Sequence, residues 1–301
     1  MKVLVTGSSG LIGSALIESL TANGHEAIRL LRTESAEGLP FWDPENGVID
    51  LGDVTYVDAV IHLAGYSIAN GRWDERTKAR ILDSRVRGTT LLTEFFAESA
   101  HKPHVIVSAS GVGAYGECGE DVVDERSELG KGFLADVARQ WEESTAPAVK
   151  AGIRVANIRL GIVLSASGGA LKKMLLPFKM GLGGVIGSGK QYMSWVSIDD
   201  VVKMIQYVMT SDSMRGPVNL LSPTPVSNYE FTKTLGRALH RPTVFRMPAF
   251  VACLAFGEMA KALLLSSTRA MPKKLMDTGY QFRHSELKDA FRNLLGKADN
   301  S

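Results

Sequence analysis

The chain has 301 residues, 45% of them hydrophobic and 22% charged, which excludes a disordered or fibrous protein. The formal net charge is only +2 and the basic residues are scattered, so the sequence lacks the electrostatic footprint of a protein that binds nucleic acid or an anionic membrane. We therefore expect a small-molecule partner. The two cysteines, Cys118 and Cys253, lie far apart, which indicates neither a disulfide framework nor a metal site.

The apolar segments at the start and near the end of the chain bear on its location. The first apolar run breaks at glycines after residue 6 and lacks the features of a secretory signal, so we expect a protein that begins at Met1 and works in the reducing cytoplasm. The segment 248–267 is interrupted by Glu258 and Lys261, whereas a membrane span needs about 20 apolar residues. We predict a buried helix or an interface helix, such as that of a homodimer, rather than a membrane span.

Apolar runs alternate with helical patterns through the first half of the chain. Strands are predicted at residues 2–6, 25–32, 58–65, 104–110 and 153–160, and helices at 11–24, 75–99 and 133–150. This alternation predicts an α/β fold, a Rossmann-type doubly wound parallel sheet with helices on both faces. Glycines and prolines then punctuate shorter elements, which predicts a smaller mixed α/β carboxyl-terminal lobe. The predicted division is a cofactor-binding domain at 1–165, whose sheet later segments could complete, and a substrate-binding lobe at 166–301.

Three glycines follow the first strand at GxxGxxG spacing and open the first helix. The first permits a tight turn, the second lets the backbone approach a diphosphate, and the third lets the helix pack on the strand. Free N–H groups at the helix amino terminus bind anions. Glycine spacing alone is a weak signal, but the strand–turn–helix context predicts a dinucleotide site rather than a plain turn. The residues predicted to bind the cofactor at this turn are Gly7, Ser9, Gly10, Leu11, Ile12 and Gly13.

The end of the second strand indicates which dinucleotide binds. An NAD site usually carries an acidic residue about 20 positions after the glycines, but this strand ends in Leu30, Leu31 and Arg32. A guanidinium suits the additional phosphate of NADP(H), because it makes bidentate, charge-assisted hydrogen bonds. A solvated arginine is the alternative interpretation of Arg32, and the nearby Glu34 keeps NAD(H) as the alternative cofactor.

Later strands end in small residues, where a parallel sheet places its ligand crevice. Leu63, Ala64 and Gly65 are predicted to line the adenosine side of the site. Ser110 ends the central strand and is a candidate catalytic residue, although a serine at a strand end is often only a turn residue. Ser108 and Gly161 complete the predicted cofactor-binding set.

These segments resemble the extended short-chain dehydrogenase/reductase superfamily, which includes nucleotide-sugar epimerases and dehydratases. The resemblance is carried by TGSSGLIGS at 6–14, HLAG at 62–65, VSASGVGAYG at 107–116 and RLGIVL at 159–164. Segments at 187–202, 219–231 and 272–282 are similar, more narrowly, to its atypical branch of epimerase family proteins. The resemblance covers nearly the whole chain.

The resemblance also implies a catalytic YxxxK pair after the serine, in which the tyrosine is the general acid/base and the lysine lowers its pKa and holds the nicotinamide ribose. Aligning Ser110 and Glu142 with the superfamily's serine and glutamate places Leu134 and Ala138 at the positions of the pair. Neither side chain exchanges a proton, and a packed helix is the plain interpretation. Tyr115 is the nearest candidate to replace the tyrosine, although tyrosines in such loops more often pack or bind ligand.

Other polar residues are given structural or open interpretations. A YxxxK at Tyr229 and Lys233 begins a predicted helix of the second lobe, capped by Ser227 or Asn228, and is not expected to be catalytic. The segment 72–88 is predicted to be a solvated helix. The resemblance places a polar and aromatic cluster beside the substrate crevice, with a solvated loop as the alternative. Its members are Lys190, Gln191, Tyr192, Ser194 and Trp195.

Two functions are compatible with this pattern. The favoured one is an NADP(H)-dependent oxidoreductase or nucleotide-sugar-epimerase-like enzyme, with Ser110 orienting a carbonyl or hydroxyl and Tyr115, the substrate or water handling the proton. The alternative is a weakly active or inactive NADPH-binding sensor or scaffold, and its motive is the apolar pair Leu134 and Ala138. The sequence does not indicate the substrate.

Overall fold

A computed structural model describes residues 1–32, 39–69 and 71–296 of the chain. Its strands are β1 Lys2–Thr6, β2 Glu26–Leu30, β3 Phe41–Asp43, β4 Val48–Asp50, β5 Ala59–His62, β6 Val105–Gly111, β7 Val122–Val123, β8 Arg154–Leu160, β9 Ile162–Leu164, β10 Gly184–Ile186, β11 Tyr192–Met193, β12 Trp195–Ser197, β13 Gly216–Leu220, β14 Val226–Ser227, β15 Phe245–Met247 and β16 Arg269–Ala270. Its α-helices are α1 Leu11–Ala22, α2 Glu75–Glu98, α3 Phe133–Glu143, α4 Ala146–Lys150, α5 Gly169–Lys179, α6 Ile198–Thr210, α7 Asn228–Ala238, α8 Ala249–Phe256, α9 Glu258–Ala260, α10 Lys273–Asp277 and α11 Leu287–Gly296.

A six-stranded parallel sheet forms the centre of the molecule, in the order β13-β8-β6-β5-β1-β2. Side chains alternate between its two faces, as the strand period requires. Val3, Val5 and Val107 belong to a core shared with α1 and α6, whereas Leu4 and Ile106 belong to the core on the opposite face, under α2 and α4. The predicted Rossmann-type sheet, with helices on both faces, is confirmed.

Two local features differ from the sequence prediction. The helix predicted at 133–150 is two helices, because Pro147 lies in the first turn of α4 and has no N–H to continue the hydrogen bonds of α3. No element is predicted between residues 32 and 58, where β3 and β4 form a hairpin. These strands are only three residues long, too short for a periodic pattern. Trp42 of the hairpin is fully buried against His62, with ring centroids 5.7 Å apart.

The carboxyl-terminal part of the chain contributes to both regions of the molecule. The β13 strand extends the central sheet beside β8, and α6 packs on one of its faces. The remaining elements form a smaller mixed α/β lobe around a core that includes Phe178, Trp195, Phe231 and Phe291. The lobe combines short two-stranded pairs with α5, α7 and α11.

The segment 248–267 forms α8, α9 and a π-turn at Lys261–Leu265. The prediction of a buried helix is wrong for α8, because Phe250 and Leu254 expose 72% and 75% of their surface. That α8 forms an interface with a second copy of the chain stays a prediction. In the described ranges, no helix has both the length and the apolar character that crossing a membrane requires.

Candidate cofactor and catalytic cleft

The glycine turn lies between β1 and α1, at the carboxyl edge of the sheet, and has the shape of an anion cradle. Gly7 has φ +65°, and a Cβ there would lie 2.7 Å from the carbonyl carbon of Leu63. A Cβ on Gly13 would lie 2.8 Å from the Cα of Ser8, so only glycine lets α1 approach β1 this closely. Gly10 is the N-cap of α1 and provides no side-chain cap, which leaves amide donors at the helix terminus for a ligand. Ser9 lies in this turn, and Leu11 and Ile12 are the first residues of α1. Their contact with a cofactor stays a prediction.

The segment Leu63–Gly65 lies directly beside this turn, because β5 is the neighbour of β1. The amides of Leu63 and Ala64 donate to Thr6 Oγ1 at 3.2 and 3.3 Å, which holds the segment against β1. Gly161 lies elsewhere in the crevice, where a Cβ would collide with the backbone of Ser194. Its lack of a side chain is required by packing against the second lobe.

Two arginines lie on the β2 side of the turn. Arg32 follows the strand and is exposed at a bend. Arg29 Nη1 donates to the carbonyl oxygen of Ser8 at 3.0 Å, which places a second cation beside the glycines. Arg29 is not predicted from the sequence, because its contact with the turn depends on the pairing of β1 and β2. The alternative NAD residue, Glu34, lies outside the described residues.

Ser110 is the first member of a buried ionic network at the end of β6. Its Oγ donates to Glu142 Oε1 at 2.7 Å, and Arg159 binds both oxygens of the same carboxylate at 2.7 and 2.8 Å. Strand register explains the meeting, since Ser110 pairs with Arg159 across β6 and β8. Although burial acts to lower it, the hydrogen bond and charge of Glu142 raise the pKa of Arg159. The carboxylate therefore directs the Ser110 hydroxyl through a fixed ion pair.

Tyr115 follows β6 and is also buried, with 3% of its surface exposed. Its hydroxyl donates to Asn219 Oδ1 at 2.8 Å, and the Arg159 guanidinium lies 5.0 Å from its ring centroid. Burial raises the pKa of Tyr115 to about 12, so the phenol stays protonated at neutral pH. Tyr115 is thus held in the same network as Ser110, and its catalytic role stays a prediction.

The structure also locates the two candidate YxxxK positions. Leu134 lies on α3 beside Gly113, where a Cβ would be 3.0 Å from Leu134 Cβ, and Ala138 is buried one turn later. Leu134 is part of a partly exposed apolar wall with Phe133 and Leu263. The other positions, Tyr229 and Lys233, lie on α7 in the second lobe.

Lys233 is engaged within that lobe and not at the cleft. Its Nζ donates to the carbonyl oxygen of Thr243 at 2.8 Å. The side chain of Ser227 caps α7 in a capping box with Glu230, as one of the two predicted caps. These contacts give Lys233 and the start of α7 a structural role in the second lobe, as expected for a pair that is not catalytic.

The polar cluster that follows residue 189 mostly serves the fold. Gln191 donates to the carbonyl oxygens of Ile186 and Leu264 at 3.0 and 2.9 Å, and Ser194 donates to that of Thr268 at 2.8 Å. Trp195 is fully buried, so it is not part of a solvated loop. Because these side chains already bond to the backbone, fewer of their polar groups are free to bind a substrate than the resemblance implies.

Three further polar side chains, two buried and one partly buried, lie near the cleft. His62 is completely buried, and burial lowers its pKa to about 3, so the imidazole is neutral. Ser108 is also fully buried, and its Oγ has no partner within the described chain. Its role as a cofactor residue stays a prediction. Arg85 was missed, because the segment 72–88 is predicted to be solvated, and the prediction is wrong for this side chain, which is turned inward against Tyr66 and Trp141.

Comparison with known proteins gives the same assignment along almost the whole chain. The model of the NAD dependent epimerase/dehydratase family matches residues 3–220, and a domain of unknown function, DUF1731, matches residues 247–294. Epimerase family protein Mb2239 of Mycobacterium bovis is 43% identical over 289 residues, which are 96% of this chain and 95% of that protein.

Solved structures agree with this result. The crystal structure of human epimerase family protein SDR39U1 (isoform 2) with NADPH has a TM-score of 0.90 and 32% identity, and covers 98% of this chain and 99% of its own. UDP-glucose 4-epimerase from Thermus thermophilus, in complex with NAD, has a TM-score of 0.76 over the whole of both chains. At 20% identity, this second likeness shows the fold alone.

The sequence resemblance is thereby confirmed. The glycine cradle, the serine at the end of β6 and the parallel sheet occur in a chain whose relatives match it from end to end, and the chain belongs to the NAD dependent epimerase/dehydratase family, in the branch of epimerase family proteins.

Proposed function

We propose that this chain is an NADP(H)-dependent oxidoreductase or epimerase-like enzyme that acts on a small polar substrate between the sheet and the second lobe. The observation that carries the proposal is the glycine cradle, where main-chain amides are uncapped and only glycine fits. The NADPH in the structure of the human relative supports this cofactor. NAD(H) is the alternative.

Each side of the cleft has a role in this proposal. The turn from Gly7 to Gly13 holds the diphosphate, Leu63–Gly65 line the adenosine side, and Arg32 binds the additional phosphate. When bound, the nicotinamide supplies hydride transfer. Ser110 binds the reacting oxygen, while Tyr115, the substrate itself or water handles the proton.

We infer that Leu134 and Ala138 occupy the positions of the catalytic pair, which makes turnover slow. A general acid/base contributes typically about 10² to 10⁴ in rate, so activity should fall short of a complete site by a factor of this order. The apolar wall around Leu134 supports this inference.

A sensor or scaffold that binds NADPH without turnover is the second candidate. The observation that favours it is that the hydroxyl protons of Ser110 and Tyr115 are both directed at protein acceptors, Glu142 and Asn219. Such a protein would need a partner. The exposed apolar face of α8 supports a homodimer, because a face without charged residues can pack against its own copy.

The cofactor assignment is tested by thermal shift with NADPH, NADP, NADH and NAD. We expect the phosphorylated pair to raise Tm more, since at equal concentration the ligand that binds more tightly stabilises the folded state more. Arg32→Asp should remove this preference, roughly a 10- to 100-fold change in Kd for one charge-assisted contact. Arg87→Asp, an exposed charge reversal on α2, is the control and should keep it. No stabilisation by any of the four ligands would refute the proposal.

Turnover separates the enzyme from the sensor. With a panel of carbonyl compounds and nucleotide sugars, an enzyme gives product in proportion to protein, and Gly10→Asp removes it by placing a carboxylate in the anion cradle. Stabilisation by NADPH without any product would favour the sensor.

A further inference from the structure

Arg85 lies on α2 but points into the molecule. Its Nη1 donates to the carbonyl oxygens of Tyr66 and Ile81, both at 2.9 Å, and its guanidinium carbon lies 4.8 Å from the ring centroid of Trp141. Burial lowers its pKa to about 10. The side chain is therefore still a cation at neutral pH, in surroundings that solvate it poorly.

This cation has no acidic partner within residues 1–32, 39–69 and 71–296. Arg87, two positions later on the same helix, is exposed and faces Asp83 at 3.8 Å. Both hydrogen bonds of Arg85 leave from Nη1, so Nε and Nη2 keep their donors for another group. A partly buried charge without a counter-ion is unfavourable, so the free donors of Arg85 suit an anionic ligand.

The position of the guanidinium indicates where that anion lies. A Cβ on Gly65 would be 3.4 Å from the guanidinium carbon and 3.6 Å from Nη2, so the absence of a side chain at Gly65 leaves Arg85 uncovered on this side. Gly65 follows β5, which lies between β1 and β6 in the sheet. Arg85 is therefore beside the crevice that connects the glycine turn of β1 with Ser110 of β6.

We propose that Arg85 binds the diphosphate of the nicotinamide cofactor, an assignment that rests on the proposed cofactor site. A dinucleotide that extends from the glycine turn toward Ser110 must cross the end of β5, where Gly65 and Arg85 lie. Its diphosphate has the acceptor oxygens and the negative charge that match the remaining donors of the guanidinium.

Direct binding measurements test this assignment. Dissociation constants for NADPH and NADH are measured by titration calorimetry for the wild type, Arg85→Met and the matched control Arg87→Met. We expect Arg85→Met to weaken both ligands by the same factor, roughly 10- to 100-fold, because both contain the diphosphate. Arg87→Met should bind as the wild type does. Arg85→Lys keeps a charge and should recover most of the affinity.

The outcomes are distinguishable. Unchanged affinities in Arg85→Met, or a loss confined to NADPH, would overturn the assignment to the diphosphate. Adenosine 2′-monophosphate, which has no diphosphate, should bind the wild type and Arg85→Met alike; if the variant loses this ligand too, Arg85 has a structural role and the inference is wrong. If the wild type binds neither dinucleotide, the proposed function itself fails.

Discussion

Glu142 is the residue on which the buried network depends, since it accepts from Ser110 and from two nitrogens of Arg159. Glu142→Gln removes the counter-charge and leaves the Arg159 guanidinium buried without it. Breaking a buried ion pair in this way costs about 3–5 kcal/mol of stability. We expect a loss of this size in the free energy of urea unfolding, with an unchanged m value.

The matched control for Glu142 is Asp136→Asn on the same helix. Asp136 pairs with Arg139 at 2.9 Å, but both side chains are more than two-fifths exposed. An exposed pair contributes about 1 kcal/mol or less. If the two variants lost the same small amount, the network around Glu142 would not be the stabilising unit that its geometry indicates.

Among individual residues, the sequence indicates those members of the candidate site that lie at a recognisable strand end or helix start. The glycines of the turn and Ser110 are recognisable because they end a strand or open a helix. Arg85 and the partnership of Glu142 with Arg159 are not, because each depends on contacts between elements far apart in the sequence. An arginine in a charged helix looks solvated until the fold shows which side it faces.

Among the elements, α1 is the one whose placement decides cofactor binding. Gly13→Ala would push its new Cβ against the backbone of Gly7 and Ser8, so the helix must move away from β1. We expect NADPH affinity to fall roughly 100-fold, because several amide contacts, each worth about 1 kcal/mol or more, lose their alignment together. Titration of the purified variant with NADPH measures this.

The control for α1 lies just beyond its other end. Gly24 has φ +77° and no atom within 4 Å of an added Cβ, so Gly24→Ala should cost about 1–2 kcal/mol of stability and leave NADPH affinity unchanged. Equal effects of the two alanines on affinity would show that general destabilisation, not helix placement, controls binding.

Elements were predictable where periodicity is long enough to read. The five predicted strands of the sheet all occur, because each is a compact apolar run between helical patterns. The β3–β4 hairpin was missed, since three-residue strands carry little pattern. The division of α3 from α4 follows from Pro147, a signal that was present in the sequence but was not used.

At the scale of the whole molecule, the sheet formed within residues 1–165 is completed by β13 and covered by α6, which come later in the chain. The stability of this region therefore depends on them. Val201, Met204 and Ile205 of α6 are fully buried against the sheet, and β13 covers the edge of β8. A fragment of residues 1–165 would expose this apolar face and an unpaired strand edge. We expect the fragment to show no cooperative thermal unfolding and no stabilisation by NADPH, whereas the full chain shows both.

Circular dichroism against temperature, with and without NADPH, makes this comparison. A sharp transition of the fragment, shifted upward by the ligand, would contradict the expectation and establish residues 1–165 as an independent unit. The sequence allows later segments to complete the sheet but does not indicate which one. The reason is that β13 includes Pro217 and lies in a region that contains several prolines.

The orientation of the Ser110 hydroxyl limits which ligands can form a hydrogen bond with it. A hydroxyl has a single hydrogen and two lone pairs. The Ser110 hydroxyl donates that hydrogen to the Glu142 carboxylate. Toward a ligand, Ser110 can therefore act only as a hydrogen-bond acceptor. A ligand oxygen or nitrogen that hydrogen-bonds to Ser110 must be a donor. An alcohol or an amine can donate, whereas a ketone cannot. Under the proposed function, Ser110 would therefore bind the alcohol of an alcohol–ketone couple in preference to the ketone.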